Sequence, residues 1–424
     1  MTAREKLLHW LDTEKDRQLQ FLQAFTRIDT CNPPGDTVEA ADFFRRFLDE
    51  EKVPHRTEAP QATMPNLISS FAGKGAGRHL VLNGHLDVFP IGDRSVWKHD
   101  PLSGDIVGDG VDGRVYGRGT VDMMCGTTAL LFVHAYLHRL RDELPGKVTL
   151  TVVSDEETGG KWGADWLVRN CAHEVLGDCV LNTEPSGIHT VRFGEKSMLW
   201  LRFRVKVRGG HSAYPHTSPS ATKIAASLIK DLETIEEMVP DEPETVRQTL
   251  QRGEVMEAAD RSLGQGGAAV MRRVSVNIGT VQGGVKINML PAECVLDVDF
   301  RPPVGITRAG VVAEVQKIVA RHQGVTVEEL LAGNPESTWS DPTHEMVGHL
   351  TRNAADALGY PPQPIVSLGG TDTRFWRRAG VPCFVYGCSP AGMGGIDEAV
   401  SIAEFHHVLR THALAAFDYL MAAR

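Results

Sequence analysis

Cysteine is scarce in this chain, and what there is does not pair by spacing. The seven residues, Cys31, Cys125, Cys171, Cys179, Cys294, Cys383 and Cys388, are odd in number and scattered, and no two form a C-x-x-C. That argues against a disulfide framework and makes a reducing cytoplasm the expected compartment. Excess basic charge is also missing. Lys and Arg number 44 against 54 Asp and Glu, a net charge of -10. A nucleic acid or an anionic membrane, which would want a basic patch, is therefore not an expected partner. No apolar core with a cleavage site opens the chain, for Met1 to Gln20 is polar and mixed in charge, so no secretory leader is expected. No apolar run reads as long enough to cross a bilayer. Internal repeats and low-complexity tracts are absent too.

What is present is a globular composition, 42% hydrophobic and 23% charged, spread over 424 residues. That length exceeds one ordinary core and implies two domains. An amphipathic helix is expected from Thr13 to Ile28, broken by Asn32-Pro33-Pro34-Gly35, and another from Thr37 to Glu51. Strands and helices then alternate: strands at Asn66–Phe71, His79–Leu86, Lys147–Ser154 and Cys179–Asn182, helices at Gly126–Leu140 and Trp162–Asn170. Such alternation predicts an α/β fold with a mostly parallel sheet flanked by helices. After Ser197 the order becomes strand Trp200–Val207, helix Ser218–Glu236, strands Val274–Val281 and Glu293–Arg301, helix Arg308–His322, strand Val325–Leu330. That is a βαββαβ unit, with a polar excursion near Asp241 to Ala268. The α/β pattern resumes after residue 334. The expected organisation is a domain split into 1–196 and 335–424, with 197–334 inserted.

Four motifs carry possible chemistry. Gly84-His85-Leu86-Asp87 ends an apolar strand, and residues two apart on a strand share a face. Asp87 is thus placed to bond one ring nitrogen of His85 while the other binds a metal. Alone, a solvated strand end explains the pair as well. Asp122 precedes a helix, where a helix cap is the ordinary reading. Asp155-Glu156-Glu157 follows an apolar strand, and three consecutive acids repel one another unless a cation sits there. Glu184 follows the strand Cys179–Leu181. Ligands of open α/β sheets bind beyond the carboxyl ends of the strands, and three strands deliver His or acid at that edge. One metal site explains the set better than four separate coincidences.

Together with Gly210-His211-Ser212-Ala213-Tyr214-Pro215-His216, Gly283-Gly284-Val285-Lys286-Ile287-Asn288-Met289-Leu290-Pro291 and Gly369-Gly370-Thr371-Asp372-Thr373-Arg374, these motifs make the chain resemble a metallopeptidase family. It is the one that includes aminoacylase, acetylornithine deacetylase, succinyl-diaminopimelate desuccinylase and glutamate carboxypeptidase. The resemblance covers nearly the whole chain. It implies that His85 ligates a first metal with Asp87 orienting it, that Asp122 bridges, that Glu184 completes the first position and that Glu157 serves a second. Glu156 would be the general base that takes a proton from metal-activated water. The insert would be a lid and dimerisation domain, His211 would stabilise the oxyanion in the partner subunit's site, and Asn288, Arg301 and Arg374 would contact substrate. On sequence alone His211 reads equally as a surface histidine, and Arg301 as a partner of Asp297 or Asp299.

The chain departs from the family in two places, one being Met124, where a Lys often follows the bridging Asp motif. A second-metal histidine normally precedes the final acidic motif; here the stretch reads Ser389-Pro390-Ala391-Gly392-Met393-Gly394-Gly395-Ile396-Asp397-Glu398. Neither Gly394 nor Ala391 can bind a metal, and His406 and His407 lie on the next helix. The expectation is therefore one divalent metal per site, Mn, Zn or Co, in a homodimer or higher oligomer. The expected reaction is C–N hydrolysis of a small carboxylate-bearing substrate by a deacylase or amidohydrolase. Two alternatives stand beside it. One is an aromatic aminohydrolase that replaces an amino group with hydroxyl on an aminobenzoate such as 5-nitroanthranilate. The other is a non-catalytic binding module on the same fold.

Overall fold

A computed structural model describes residues 1–330 and 336–422. The domain boundary expected at residues 334 and 335 lies outside the described residues. The central sheet has nine strands. Its middle four, Lys147–Val153, His79–His85, Cys179–Asn182 and Cys383–Val385, run parallel. They are near-continuous apolar runs, as strands covered on both faces must be. Antiparallel strands flank them: His55–Gln61 and Met64–Ala72 on one side, Thr190–Glu195 and Thr338–Trp339 on the other. Gln363–Ser367 pairs parallel to Thr190–Glu195.

Alternation along one strand shows the layers. Leu80 and Leu82 enter the main core, while Val81 joins a second apolar cluster with Ala164, Val180 and Trp376 on the other face. The main-core face is covered by helices Cys125–Arg139 and Ile402–Met421, which pack on each other, and by an aromatic cluster of Phe21, Phe25, Phe44, Phe47 and Phe132. By length and composition, Thr120–Arg139 could cross a membrane, contrary to the expectation that no such run exists. It is instead the central helix of the core, buried along its length.

The inserted region builds its own four-stranded antiparallel sheet in the order Ser275–Gly283, Glu293–Arg301, Leu199–Lys206, Val325–Glu329. Leu199, Leu201, Phe203 and Val205 point to a core shared with helices Ala221–Glu233 and Arg308–Val319. Three expectations need correction. The helix expected from Thr13 to Ile28 is Lys15–Thr26, and a further helix, Ala3–Thr13, precedes it unread, opened by a capping box between Thr2 and Glu5. The strands His55–Gln61 and Thr190–Glu195 went unread, the first because it is a polar edge. The polar excursion is helical, with Glu244–Leu250, Gly253–Leu263 and Gly267–Met271. Its Val246, Leu250, Val255, Ala259 and Met271 bury themselves in the core of the large domain, not that of the insert. Small apolar residues between charges hide this face from a hydrophobicity pattern.

Candidate metal centre

His85 is the last residue of its strand. The neighbouring parallel strands end just before Glu156 and Glu157 on one side and Glu184 on the other, and Asp122 lies in the turn before helix Cys125–Arg139. Parallel pairing in register brings all of them to one sheet edge. His85 Nε2 lies 3.4 Å from Asp122 Oδ1 and 3.3 Å from Glu184 Oε1. Two groups with the spacing of a metal site share this imidazole: His85 with Asp122 and Glu157, and His85 with Glu156 and Glu184.

His85 Nδ1 stands 2.8 Å from the main-chain carbonyl of Asp87, whose carboxylate is farther, at 3.5 Å. A carbonyl only accepts, so Nδ1 carries the proton and Nε2 keeps its lone pair for a cation. The Asp87 carboxylate has another task. It accepts hydrogen bonds from Asn32 Nδ2 (2.8 Å) and from the backbone N–H groups of Glu156 and Glu157 (both 3.1 Å). Asp87 thus fixes the ring through its main chain and the acidic turn through its side chain.

The cluster is short of positive charge. His85 Nε2, Glu184 Oε1 and Glu157 Oε1 are buried without a hydrogen-bond partner among the described residues. Burial, then the Asp122 carboxylate, pushes Glu184 up to about 7 and Glu157 up to about 11. Burial and the charges of Glu184 and Asp372 raise Glu156 well above the ordinary range. Burial opposes a charged His85, but Asp122, Asp87 and Glu184 outweigh it and raise its pKa. One imidazole and several carboxylates, desolvated with orphaned lone pairs, form a donor set that fits a divalent transition metal.

Arg374 Nη1 lies 3.5 Å from Glu156 Oε1, so its nearest charge is the candidate base. Sequence reading missed several residues that shape the site. Arg192 is fully buried, and its pKa falls to about 10 because burial outweighs the pull of Glu184 and Asp122. Its signal was a charged residue inside an apolar strand, which is rarely buried without purpose. Glu398 accepts from the backbone N–H groups of Val121 (3.0 Å) and Asp122 (3.2 Å) and pairs with Arg118 at 2.6 Å. Asn182 Oδ1 takes the Glu184 N–H at 2.8 Å.

The candidate residues of the insert make other contacts. His211 is exposed in a short antiparallel ladder with Met289–Leu290, and its Nδ1 accepts from Ala213 N–H. Asn288 is exposed beside it, its carbonyl accepting from Ser212 N–H at 3.1 Å. Arg301 Nε donates to Asp299 at 2.9 Å, and Asp297 pairs with Arg202 instead. His211 is in neither group around His85, and Arg301 spends its Nε on Asp299. In the departing loop, a Cβ at Gly394 would stand 3.3 Å from the Phe89 ring. His407 bonds the Tyr386 hydroxyl at 2.6 Å, and His406 packs near Lys15.

Comparison with known proteins agrees with this geometry. The chain is 26% identical over 373 residues to a succinyl-diaminopimelate desuccinylase of Cereibacter sphaeroides, covering 86% of this chain and 89% of that one. Its fold matches an M20 family metallo-carboxypeptidase of Sulfolobus solfataricus with a TM-score of 0.76 at 18% identity, over 96% of this chain and 99% of that one. It also matches the di-peptidase Dug1p of Saccharomyces cerevisiae with a TM-score of 0.75 at 16% identity, over 100% of both chains. The model of peptidase family M20/M25/M40 matches residues 81–418. The chain belongs to that family and is a hydrolase acting on C–N bonds.

Proposed function

We propose that this hydrolase is a deacylase or amidohydrolase acting on a small carboxylate-bearing substrate. The observation that carries the reading is the buried His85 Nε2 with Asp122 and Glu184 beside it and Glu156 adjoining. A divalent cation, Mn, Zn or Co, held by His85, Asp122 and Glu184, would supply Lewis acidity and bring the pKa of a water toward neutrality. Glu156 accepts the proton of the attacking water and returns it to the departing nitrogen. Arg374 steadies the negative form of Glu156 and lies near enough to share a substrate carboxylate through its planar fork. This reading takes one metal per site, supported by the lack of any imidazole beyond His85 in the two groups among the described residues. The cysteines are all free, six of them buried, which supports a reducing cytoplasm.

The lid is read as a dimer surface. Val281, Val285, Ile287, Met289 and Tyr214 are exposed apolar residues on or near in sequence to the two short strands, Gly210–His211 and Met289–Leu290, that pair around His211. A face of that kind seeks a partner, and a second copy would bring His211, Asn288 and Arg301 toward the opposite site. Mixing Glu156→Gln with His211→Ala chains should restore activity in hybrid dimers. Hybrids that form yet stay inactive would refute donation across the interface.

The aromatic aminohydrolase reading has one observation in its favour. The departing loop exposes Met393 and Ile396 and packs against a part-exposed Phe89, so this rim is apolar. N-succinyl and N-acetyl amino acids, dipeptides and aminobenzoates including 5-nitroanthranilate, each supplied with Mn or Zn, separate the two. Release of an amino acid supports the deacylase; release of ammonia from the aminobenzoate supports the second reading. No release from any would overturn both.

A further inference from the structure

A cavity of about 300 Å³, partly walled by residues 187–189 in the segment that follows Glu184, is not used by the reaction above. Its walls are the loops at 187–189 and 389–391, the end of helix Gly253–Leu263 and the start of helix Ile402–Met421. Its polar lining is Arg261, Ser262, His189, Ser389 and Glu404. Arg261 is exposed and acts electrostatically on His189 and Tyr360. Ser262 Oγ is a buried hydroxyl with no hydrogen-bond partner among the described residues. Glu404 accepts the Ser389 N–H through Oε2 at 2.6 Å. His189 is held in place: its ring stacks on Tyr360 with centroids 5.2 Å apart, and its Nδ1 meets the Tyr360 hydroxyl at 2.5 Å.

We propose that this cavity binds a free α-amino acid, with the carboxylate on Arg261 and the Ser262 hydroxyl and the ammonium on Glu404. The charge pattern selects the class. A bare anion would meet the Glu404 carboxylate, and a bare amine would meet the Arg261 guanidinium; a small zwitterion satisfies both. The orphaned Ser262 hydroxyl gains the partner it lacks, which matters because an unmade buried hydrogen bond is costly. The volume sits at the lower end for ligand pockets, enough for an amino acid and too little for a folded peptide segment.

The cavity is also wired to the metal cluster. The Gly187 N–H donates to the Cys388 carbonyl at 2.9 Å, and the Gly387 N–H donates to Ser186 Oγ at 2.7 Å. Ser186 lies two residues beyond Glu184. The segment that delivers a metal ligand therefore forms part of the cavity wall. Arg261 and Ser262 come from the helical excursion, so the site exists because that excursion docks on the large domain.

The test is calorimetry on the full chain, with metal supplied and again after chelation, using glycine, L-alanine and L-glutamate. Acetate and methylammonium serve as half-ligands. At least one amino acid should bind at one site per chain in both metal states, and both half-ligands should bind far more weakly. Arg261→Ala should weaken binding by roughly 10- to 100-fold, the worth of a hydrogen bond to a charged group, and leave turnover without added amino acid unchanged. Arg261 is exposed, so its replacement leaves the core intact; an unaltered unfolding midpoint verifies this. Three results would overturn the proposal: no heat from any amino acid, acetate binding as tightly as the amino acid, or binding that survives Arg261→Ala but disappears with the metal.

Discussion

One side of the comparison is Asp122 and Glu184, 3.4 and 3.3 Å from His85 Nε2; the other is Glu157, grouped with His85 and Asp122. The two sides are supported very differently. The backbone around Asp122 is held by Glu398, itself locked to Arg118. The Glu184 N–H is held by Asn182, whose Nδ2 in turn bonds Asn83 Oδ1 at 3.0 Å. On the other side the Glu157 backbone is fixed by Asp87, and its Oε1, like Glu184 Oε1, meets no donor among the described residues. The loop that would complete that side is built on Gly392 and Gly394, both with positive φ. Placement within a fraction of an ångström is what a catalytic cation requires of its ligands. The bonds to the Asp122 and Glu184 backbones supply such placement, and we propose that the Glu157 position is the weaker of the two.

The largest effect should come from the group between the two sides. Glu156→Gln keeps the shape of the side chain and removes its basicity. Turnover should fall by about 100- to 10,000-fold, the usual worth of a general base, with metal content unchanged by elemental analysis. Near wild-type turnover would remove Glu156 from that role and return the comparison to the ligands alone.

Next comes Asp87. A purely local reading makes it the orienter of His85, and Asp87→Asn should then weaken metal binding. The geometry gives a different expectation. The His85 Nδ1 bond runs to the main-chain carbonyl, which survives the substitution, whereas the carboxylate holds three N–H donors from Asn32, Glu156 and Glu157. An amide nitrogen in place of one oxygen would face donors. A loss on the order of 10- to 100-fold, typical for a residue that positions others around a metal, should therefore appear in kcat more than in metal affinity. The reverse split, with affinity lost and kcat kept, would restore the simpler role.

That difference marks the limit of what was legible in the sequence. His85, Glu156, Glu157 and Glu184 could be placed together because strand ends in a parallel sheet share an edge, and the apolar runs leading to them are unambiguous. The two-residue period put Asp87 beside His85 but could not tell its carbonyl from its carboxylate. Arg118 and Glu398 are 280 positions apart, a separation that no local pattern spans. The docking of helix Gly253–Leu263 on strand Gln363–Ser367 was hidden for the same reason. His211, Asn288 and Arg301 carry motif signals, yet their bonds here are to Ala213, Ser212 and Asp299, so the proposed reading of them depends on a second copy.

The smallest effect is expected at Glu157, and it tests the asymmetry most directly. If the second position is half-built, Glu157→Gln removes a carboxyl group that no cation uses, and burial with the Asp122 carboxylate already favours its neutral form. Activity should change by less than the roughly 10-fold that losing even one orienting residue brings, and metal content should stay near one equivalent per chain. Glu184→Gln, the matching change on the supported side, should instead strip the metal, because it takes a ligand from a three-residue set. Running both variants side by side controls for general damage, since each replaces one buried carboxylate with an amide of the same size. Elemental analysis and anomalous scattering after soaking in excess Mn or Zn complete the test. One peak near His85, Asp122 and Glu184, lost only in Glu184→Gln, is the expected result. Two full peaks roughly 3.5 to 4 Å apart, with one lost in Glu157→Gln together with most activity, would show that the departing loop hides a ligand and that both sides work.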